Sequence, residues 1–167
     1  DNAGGAQSTS EPTTTSATAI QTTADNYKWK LMYTLTASQQ SNFLSTDFMA
    51  VSTDSTISSS AVDGEISLIK IKAGGTGGAN GTFTNIPIRG NGSSGVCSVT
   101  VSSGAVSSVS VTTPGTGYRF AYVRNADIVA AGATGLTGAE LDVIIPPEGG
   151  HGFNAVQELG GFFVMIN

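Results

Sequence analysis

The fold is decided by a stretch that occurs twice, first as ISLIKIKAGGTG at residues 66–77 and then, 40 residues later, as VSSVSVTTPGTG at residues 106–117. In both copies, aliphatic residues at the first, fourth and sixth positions precede a Gly-Thr-Gly sequence. A turn that takes positive φ angles tolerates glycine without steric cost. Each copy therefore predicts a strand followed by a tight glycine turn.

The correspondence continues beyond the turn. Ile86 and Ile88 have loose counterparts in Ala126 and Ile128, and residues 98–101 correspond roughly to residues 140–143. The repeated unit would be a strand, a glycine turn, a strand, a glycine-rich loop and a strand. We therefore predict that residues 62–146 form a β domain with an imperfect repeat of about 40 residues, whose two copies share one core.

The composition also favours strands and turns. Only 11% of the residues are charged, whereas 20 Ser, 21 Thr and 22 Gly supply most of the polarity. Such residues are typical of strands and turns rather than of helices. We expect a mainly β protein of antiparallel sheets, or a sandwich, with one or two short helices.

Charge and hydropathy exclude some partners. The net charge of -5 argues against nucleic acid, because binding to phosphates requires an excess of basic residues. No apolar run approaches the roughly 18 residues of a membrane helix, so we expect no membrane partner either. The single cysteine, Cys97, excludes an internal disulfide.

Residues 1–24 predict a mobile arm. This Ser/Thr-rich segment contains one large aliphatic residue, Ile20, and cannot bury enough apolar surface to offset the entropy of ordering it. The chain also begins without methionine and ends abruptly at Asn167, from which we expect a piece of a longer protein.

Residues 25–61 predict a strand, a helix, a strand and a linker. Large residues alternate with mostly polar ones over residues 27–35, which indicates a strand with one buried face. Thr36 or Ser38 could cap a short helix that ends at Phe43 and Leu44. Residues 47–51 are expected to be extended, and residues 52–60 form a Ser/Thr linker.

Residues 147–167 predict a glycine-rich loop, a short helix and a closing strand. Asn154 can cap a helix that runs through Leu159 and stops at Gly160. The apolar residues 162–166 then form the strand.

The sequence offers no convincing catalytic or cofactor motif. His151 is the only histidine, and no second His or Cys lies within metal-ligand spacing. Glu148 and Asp142 could join it in a cation site, but their spacing does not demand one. The glycine stretch at residues 74–81 is not followed by the Lys-Ser/Thr pair or helix that a phosphate loop needs. We expect a protein that is not an enzyme and has no cofactor or metal, in which His151 stabilises its loop by hydrogen bonding.

Three segments resemble a known family. They are the Asp25–Leu35 segment with its Tyr-Lys-Trp sequence and its continuation at residues 43–49, the Pro-Gly-Thr-Gly-Tyr turn at residues 114–118, and the Pro-Glu-Gly-Gly-His-Gly sequence at residues 147–152 followed by Glu158-Leu-Gly160. Together they resemble the baseplate wedge subunit of contractile-tailed, T-even-like phages, the gene-product-eight family, in its cyanophage-like branch. Members of that family are considerably longer, and this chain departs from their T-even type by carrying the Ser/Thr linker and the glycine repeat.

The resemblance implies a structural subunit of the virion, located in the tail baseplate and assembled in the bacterial host cytoplasm. It implies a homodimer that binds other baseplate wedge proteins and has no active site. Our candidate interface residues are Tyr27, Trp29, Tyr33, Gly115, Gly117, Tyr118 and His151, although an aromatic after a glycine turn, such as Tyr118, commonly anchors the loop to its sheet.

Two alternatives remain open. The glycine-turn repeat and the aromatic group around Trp29 are compatible with a receptor-binding or carbohydrate-binding β module of a tail fibre. A hydrolase would rest on His151 and scattered acidic residues alone.

Overall fold

The computed structural model describes residues 6–166, so the first five residues of the predicted arm and Asn167 lie outside the described residues. In chain order the elements are β1 (Ile20–Thr22), β2 (Lys28–Lys30), α1 (Ala37–Phe43), β3 (Phe48–Ala50), α2 (Ser55–Ser60), β4 (Leu68–Thr76), β5 (Gly81–Pro87), β6 (Arg89–Gly90), β7 (Val96–Ser102), β8 (Ala105–Thr113), β9 (Ala121–Tyr122), α3 (Asn125–Ala130), β10 (Thr137–Ile144), α4 (Ala155–Leu159) and β11 (Phe163–Met165). All strand pairs are antiparallel. The prediction of a mainly β protein is confirmed, with four short helices in the described part of the chain rather than one or two.

The chain divides into two compact units. Unit 1 comprises residues 1–62 and 147–167, and unit 2 comprises residues 63–146. The segment after the repeat therefore belongs with the segment before it, which the order of the sequence alone does not reveal.

Unit 2 contains the repeat, and its strands pair reciprocally between the two copies. β4, the first strand of the first copy, pairs with β10, the last strand of the second. β8, the first strand of the second copy, pairs with β7, the last strand of the first, and β5 extends this sheet. Each copy thus completes the sheet of the other, as expected if neither can build a sheet alone.

Both sheets contribute to one core. The largest fully buried side chains are Tyr118, Ile66, Ile86, Ile128, Leu136, Val99, Val101 and Cys97. They come from both copies and belong to a single cluster, so the prediction that the copies share a core is confirmed.

The glycine turns repeat in detail. Gly75 and Gly77 have φ angles of 70° and 77°, and Gly115 and Gly117 have φ angles of 68° and 75°. Any residue with a Cβ is strained in this left-handed region, which explains why glycine stands at all four positions.

The copies diverge after the turn. Ile86 lies in β5, whereas its counterpart Ala126 and the next apolar residue, Ile128, lie in helix α3. The predicted strand is therefore wrong in the second copy. Ile128 is nevertheless fully buried, because one turn of helix delivers a single apolar side chain to the core as well as a strand does.

Unit 1 differs from prediction at three places. The strand predicted over residues 27–35 is limited to β2, because only Lys28–Lys30 finds a partner, β1. Within the arm predicted over residues 1–24, residues 8–24 include β1 and make the polar contacts described below. The predicted linker contains helix α2, whose first turn is capped by Asp54.

The predicted caps of the two helices and the closing strand of unit 1 are confirmed. Thr36 caps α1 and forms a reciprocal capping box with Gln39. Asn154 caps α4, and Gly160 ends it with a φ angle of 79°. β11 forms within residues 162–166 and pairs with β3.

Candidate interaction surface

The aromatic residues of β2 and its entry form a rigid stack. The rings of Tyr27 and Trp29 lie 5.7 Å apart between centroids, with planes inclined by 22°. Trp29 Nε1 donates a hydrogen bond to Thr23 Oγ1 at 3.1 Å. The indole is thus fixed in orientation, with its polar atom already satisfied.

Asp25 holds the N-terminal segment against this stack. Its Oδ2 accepts hydrogen bonds from Ser8 Oγ at 2.7 Å and from the Thr9 N–H at 2.8 Å, while its Oδ1 accepts one from Thr23 Oγ1 at 2.5 Å. These bonds, that from Thr23 above all, hold the pKa of Asp25 well below its usual range. The Asp25 carboxylate therefore holds the start of a segment that has almost no apolar residues.

A second polar contact fixes the same segment. The Nζ of Lys30 donates to the carbonyl oxygens of Ala17 and Thr18, both at 2.9 Å. Gln21 Oε1 accepts hydrogen bonds from the backbone N–H groups of Thr13 and Thr14. Backbone hydrogen bonds to side chains thus replace the apolar burial that this segment lacks.

An open apolar groove of about 590 Å³ lies in unit 1. This volume is within the range of small-molecule and peptide sites. The residues that line it are Pro12, Thr14, Trp29, Lys30, Leu31, Met32, Tyr33, Leu35, Gln40, Leu44, Met49, Leu159 and Val164. Residues 29–33 and Leu35 thus form a groove wall rather than the long strand that their alternation predicted.

Tyr33 contributes the one polar group in the groove that is buried without a partner. Among the described residues, its hydroxyl is the only buried side-chain oxygen or nitrogen with no hydrogen bond. Burial raises the pKa of this phenol. Leaving a buried hydroxyl unpaired costs free energy, so this hydroxyl is a local source of instability.

The two-stranded ribbon of β3 and β11 is apolar on both faces. Met49 and Val164, which are directly opposite each other, line the groove. Phe48, Phe163 and Met165 alternate with them and therefore occupy the other face. That face is open to solvent: Phe163 is 54% exposed and Met165 is 74% exposed.

Exposed apolar side chains concentrate in unit 1. The unit carries eleven of the fourteen large hydrophobic residues that are exposed in the described chain, namely Ile20, Phe43, Leu44, Phe48, Val62, Phe153, Leu159, Phe162, Phe163, Met165 and Ile166. Exposed apolar surface is a feature of interaction sites where its residues adjoin one another, as Phe48 and Met165 do across the β3–β11 pair. Unit 2 exposes only Ile71, Phe120 and Tyr122.

The glycine-turn candidates lie in unit 2. Tyr118 is only 1% exposed, and its hydroxyl donates to the Ile88 carbonyl at 2.8 Å and accepts from the Gly95 N–H at 3.1 Å. Tyr118 therefore anchors the turn to the core, which corrects its selection as an interface residue: its side chain has no surface left to offer. Gly115 is partly buried and Gly117 is exposed.

His151 binds an acidic residue within its own unit. Its Nδ1 lies 2.5 Å from Glu158 Oε1, and the Gly152 N–H donates to Glu158 Oε2 at 2.9 Å. Burial raises the pKa of Glu158, but the hydrogen bonds from His151 and Gly152 outweigh it and the net shift is downward. The pair ties the glycine loop to α4.

Metal ligands and a reactive thiol are the two other kinds of site that the described residues can be searched for. No three His, Cys, Asp or Glu side chains within residues 6–166 come together as metal ligands. Cys97 is buried, and burial raises the pKa of its thiol to about 11, so it is a poor nucleophile. None of the helices in this range is long and apolar enough to cross a membrane.

Comparison of the chain with models of protein families, with curated proteins and with solved structures finds no match.

Sequence reasoning identified Trp29 and Tyr33 but missed the ribbon. The run FFVM at residues 162–165 predicts a strand. Two consecutive phenylalanines in a strand point to opposite faces, because successive side chains alternate. That pattern is a usable signal that both faces of β11 are apolar.

Proposed function

We propose that this chain is a non-catalytic assembly module that binds other proteins through the apolar surface of unit 1. The observation that carries the proposal is the concentration of exposed apolar side chains in that unit. A chain that is otherwise rich in Ser, Thr and Gly gains nothing in water from exposing phenylalanines, whereas burial of such residues against a partner is favourable.

The setting we propose is the baseplate of a contractile phage tail. The support for this setting is the sequence resemblance of residues 25–35, 114–118 and 147–152 to baseplate wedge subunits. In that setting the partners are other wedge proteins and a second copy of the chain, and the low charge reduces the cost of desolvating the contact surfaces.

Co-expression tests this proposal. The full chain should be produced together with the wedge proteins of the same genome and analysed by size-exclusion chromatography with light scattering. We expect a complex of fixed stoichiometry in which the exposed side chains of unit 1 become protected from hydroxyl-radical labelling. A chain that stays monomeric and binds none of the wedge proteins would overturn the proposal.

A carbohydrate-binding module is the second candidate, since Trp29 is held rigidly in the wall of the groove. Sugar rings stack on such aromatic faces, but they also require several hydrogen-bonding groups. The groove offers few. Glycan-array binding that is lost in Trp29→Ala would favour this candidate over the assembly role.

A further inference from the structure

Three side chains of the β1–β2 hairpin, Gln21, Asp25 and Lys30, hold the N-terminal segment at regular intervals. Each binds two consecutive backbone groups of the segment at 2.8–3.1 Å, and the contacted pairs recur every four residues, at 9–10, 13–14 and 17–18. We call residues 8–18 the strap and these three contacts its clamps. The hairpin thus holds the strap along its whole length.

The strap is held by hydrogen bonds and not by burial. None of residues 8–18 is buried, and Pro12 and Ala17 are the only apolar residues among them. Segments with few buried apolar contacts open at a fraction of the free energy that unfolds a whole domain. The strap can therefore detach while the rest of unit 1 stays folded.

The strap forms one wall of the apolar groove. Gln21 stands directly opposite Trp29 in the register of β1 with β2, and opposite residues of an antiparallel pair project from the same face. The clamp at Gln21 therefore places the strap on the face that carries the indole, where Pro12 and Thr14 line the groove together with it. Detachment of the strap removes this wall and opens the groove on the side of the indole.

We infer that the strap is an autoinhibitory segment that limits access to the groove. This inference rests on the assembly role proposed above and adds its regulation. A partner that needs the open groove binds with an apparent affinity that is reduced in proportion to the fraction of molecules whose strap is detached. Loosening the strap should therefore tighten binding, whereas it should weaken binding if the strap were part of the contact surface.

Two variants of the full chain loosen the strap at different clamps. Gln21→Ala removes the acceptor for the N–H groups of residues 13–14, and Asp25→Ala removes the acceptor for those of residues 9–10. Loss of two hydrogen bonds of ordinary strength should raise the detached fraction about tenfold. If the strap detaches as a unit, each variant speeds amide exchange at the clamp that it leaves intact.

Trp29 reports on the groove without a label, because it is the only tryptophan in the chain. We expect acrylamide to quench its fluorescence more strongly in both variants than in the wild type. Nile red, an uncharged apolar dye, should bind both variants about tenfold more tightly, in line with the detached fraction. Asp25 also bonds Thr23, which holds the indole, so Gln21→Ala is the more direct of the two variants.

Gln157→Ala is the matched control for Gln21→Ala. Gln157 is an exposed glutamine of unit 1 that lies outside both the strap and the groove lining. This variant should match the wild type in exchange, quenching and dye binding. Circular dichroism shows whether each variant remains folded.

The outcomes separate the strap from the assembly role. Quenching and dye binding that stay at wild-type values in both clamp variants would overturn the strap and leave the assembly role standing. Weaker binding of wedge proteins by Gln21→Ala would do the same, since the strap would then belong to the contact surface. If both variants open the groove but neither they nor the wild type bind wedge proteins, the assembly role is overturned and the strap's control of the groove stands.

Discussion

Ile69 of the first repeat copy lies directly opposite Val143 of the second copy, in the β4–β10 pair. Both side chains are buried in the shared core, so the stability of each copy depends on the other. A duplicated sequence has here produced one cooperative unit rather than two that stack side by side.

Truncation in this pair should destabilise the whole of unit 2. Ile69→Ala is expected to lower the free energy of unfolding by about 2–5 kcal/mol, because it removes buried methyl groups and leaves a cavity. Ile71→Ala, two residues along the same strand at a position that is 37% exposed rather than 5%, is the control and should cost much less. Urea unfolding measures both, and equal losses would contradict the shared core.

The hydroxyl of Tyr118 should matter more than that of any exposed tyrosine. Tyr118→Phe leaves the Ile88 carbonyl and the Gly95 N–H buried without their partner, at a cost of about 1–3 kcal/mol. Tyr122→Phe changes an exposed residue by the same atom and should be nearly neutral. If thermal unfolding did not distinguish the two variants, the anchoring role of Tyr118 would be wrong.

Asp127 should make unit 2 sensitive to acid. Arg89 donates to its two carboxylate oxygens at 2.7 and 2.8 Å, and this pairing, with a further contribution from Arg124, holds the pKa of Asp127 well below its usual range. A carboxylate whose pKa is lowered by folding contributes stability above its unfolded pKa of about 4, and that contribution is lost as the pH falls through the folded pKa.

Asp127→Asn therefore should lower the melting temperature at pH 7 and flatten its decline below about pH 4. Melting curves recorded over this range test the expectation. Asp142→Asn is a suitable control, since Asp142 is exposed and lies in the same unit. Parallel declines in the wild type and Asp127→Asn would show that the pairing does not contribute.

Asp25 should control the order of the N-terminal segment. Asp25→Ala removes the acceptor for Ser8, Thr9 and Thr23, so amide hydrogen exchange over residues 8–24 should be faster than in the wild type. Asp47→Ala changes an exposed acid of the same unit and should leave the exchange rate of these residues unaltered. Equal exchange over residues 8–24 in the wild type and Asp25→Ala would contradict the role of Asp25.

The sequence predicted local features best. Helix caps and glycine turns depend on residues within a few positions of each other, as at Thr36, Asn154, 75–77 and 115–117. They can therefore be predicted from the local sequence without knowing which strands or helices pack against them. The pairing of β4 with β10 depends on contacts between residues more than 60 positions apart, and an internal repeat alone does not say which strands will pair.

The differences from prediction in unit 1 have separate physical causes. Alternation over residues 27–35 indicates which side chains share a face, but a strand also needs a neighbour, and only Lys28–Lys30 has one. The prediction of a mobile arm depends on its low apolar content, whereas its contacts in the structure are polar and are made by the Asp25 carboxylate and by Lys30. Helix α2 was missed because Ser and Thr are poor helix formers, although Asp54 caps it and Ile57 anchors it.

The candidate surface was only partly predictable. Trp29 and Tyr33 stand out as aromatic residues in a polar chain, and they do line the groove. The apolar outer face of the ribbon depends on which residues stand opposite each other, and only the register of β11 with β3 defines that.

The central claim, that this chain assembles through unit 1, is tested most directly by hydrogen–deuterium exchange of the full chain at low and high protein concentration. We predict that amide exchange over residues 162–166 slows as concentration rises, while exchange in residues 63–146 stays constant. Exchange over residues 162–166 that is independent of concentration and of added wedge proteins, or protection that appears in residues 63–146 instead, would contradict the account.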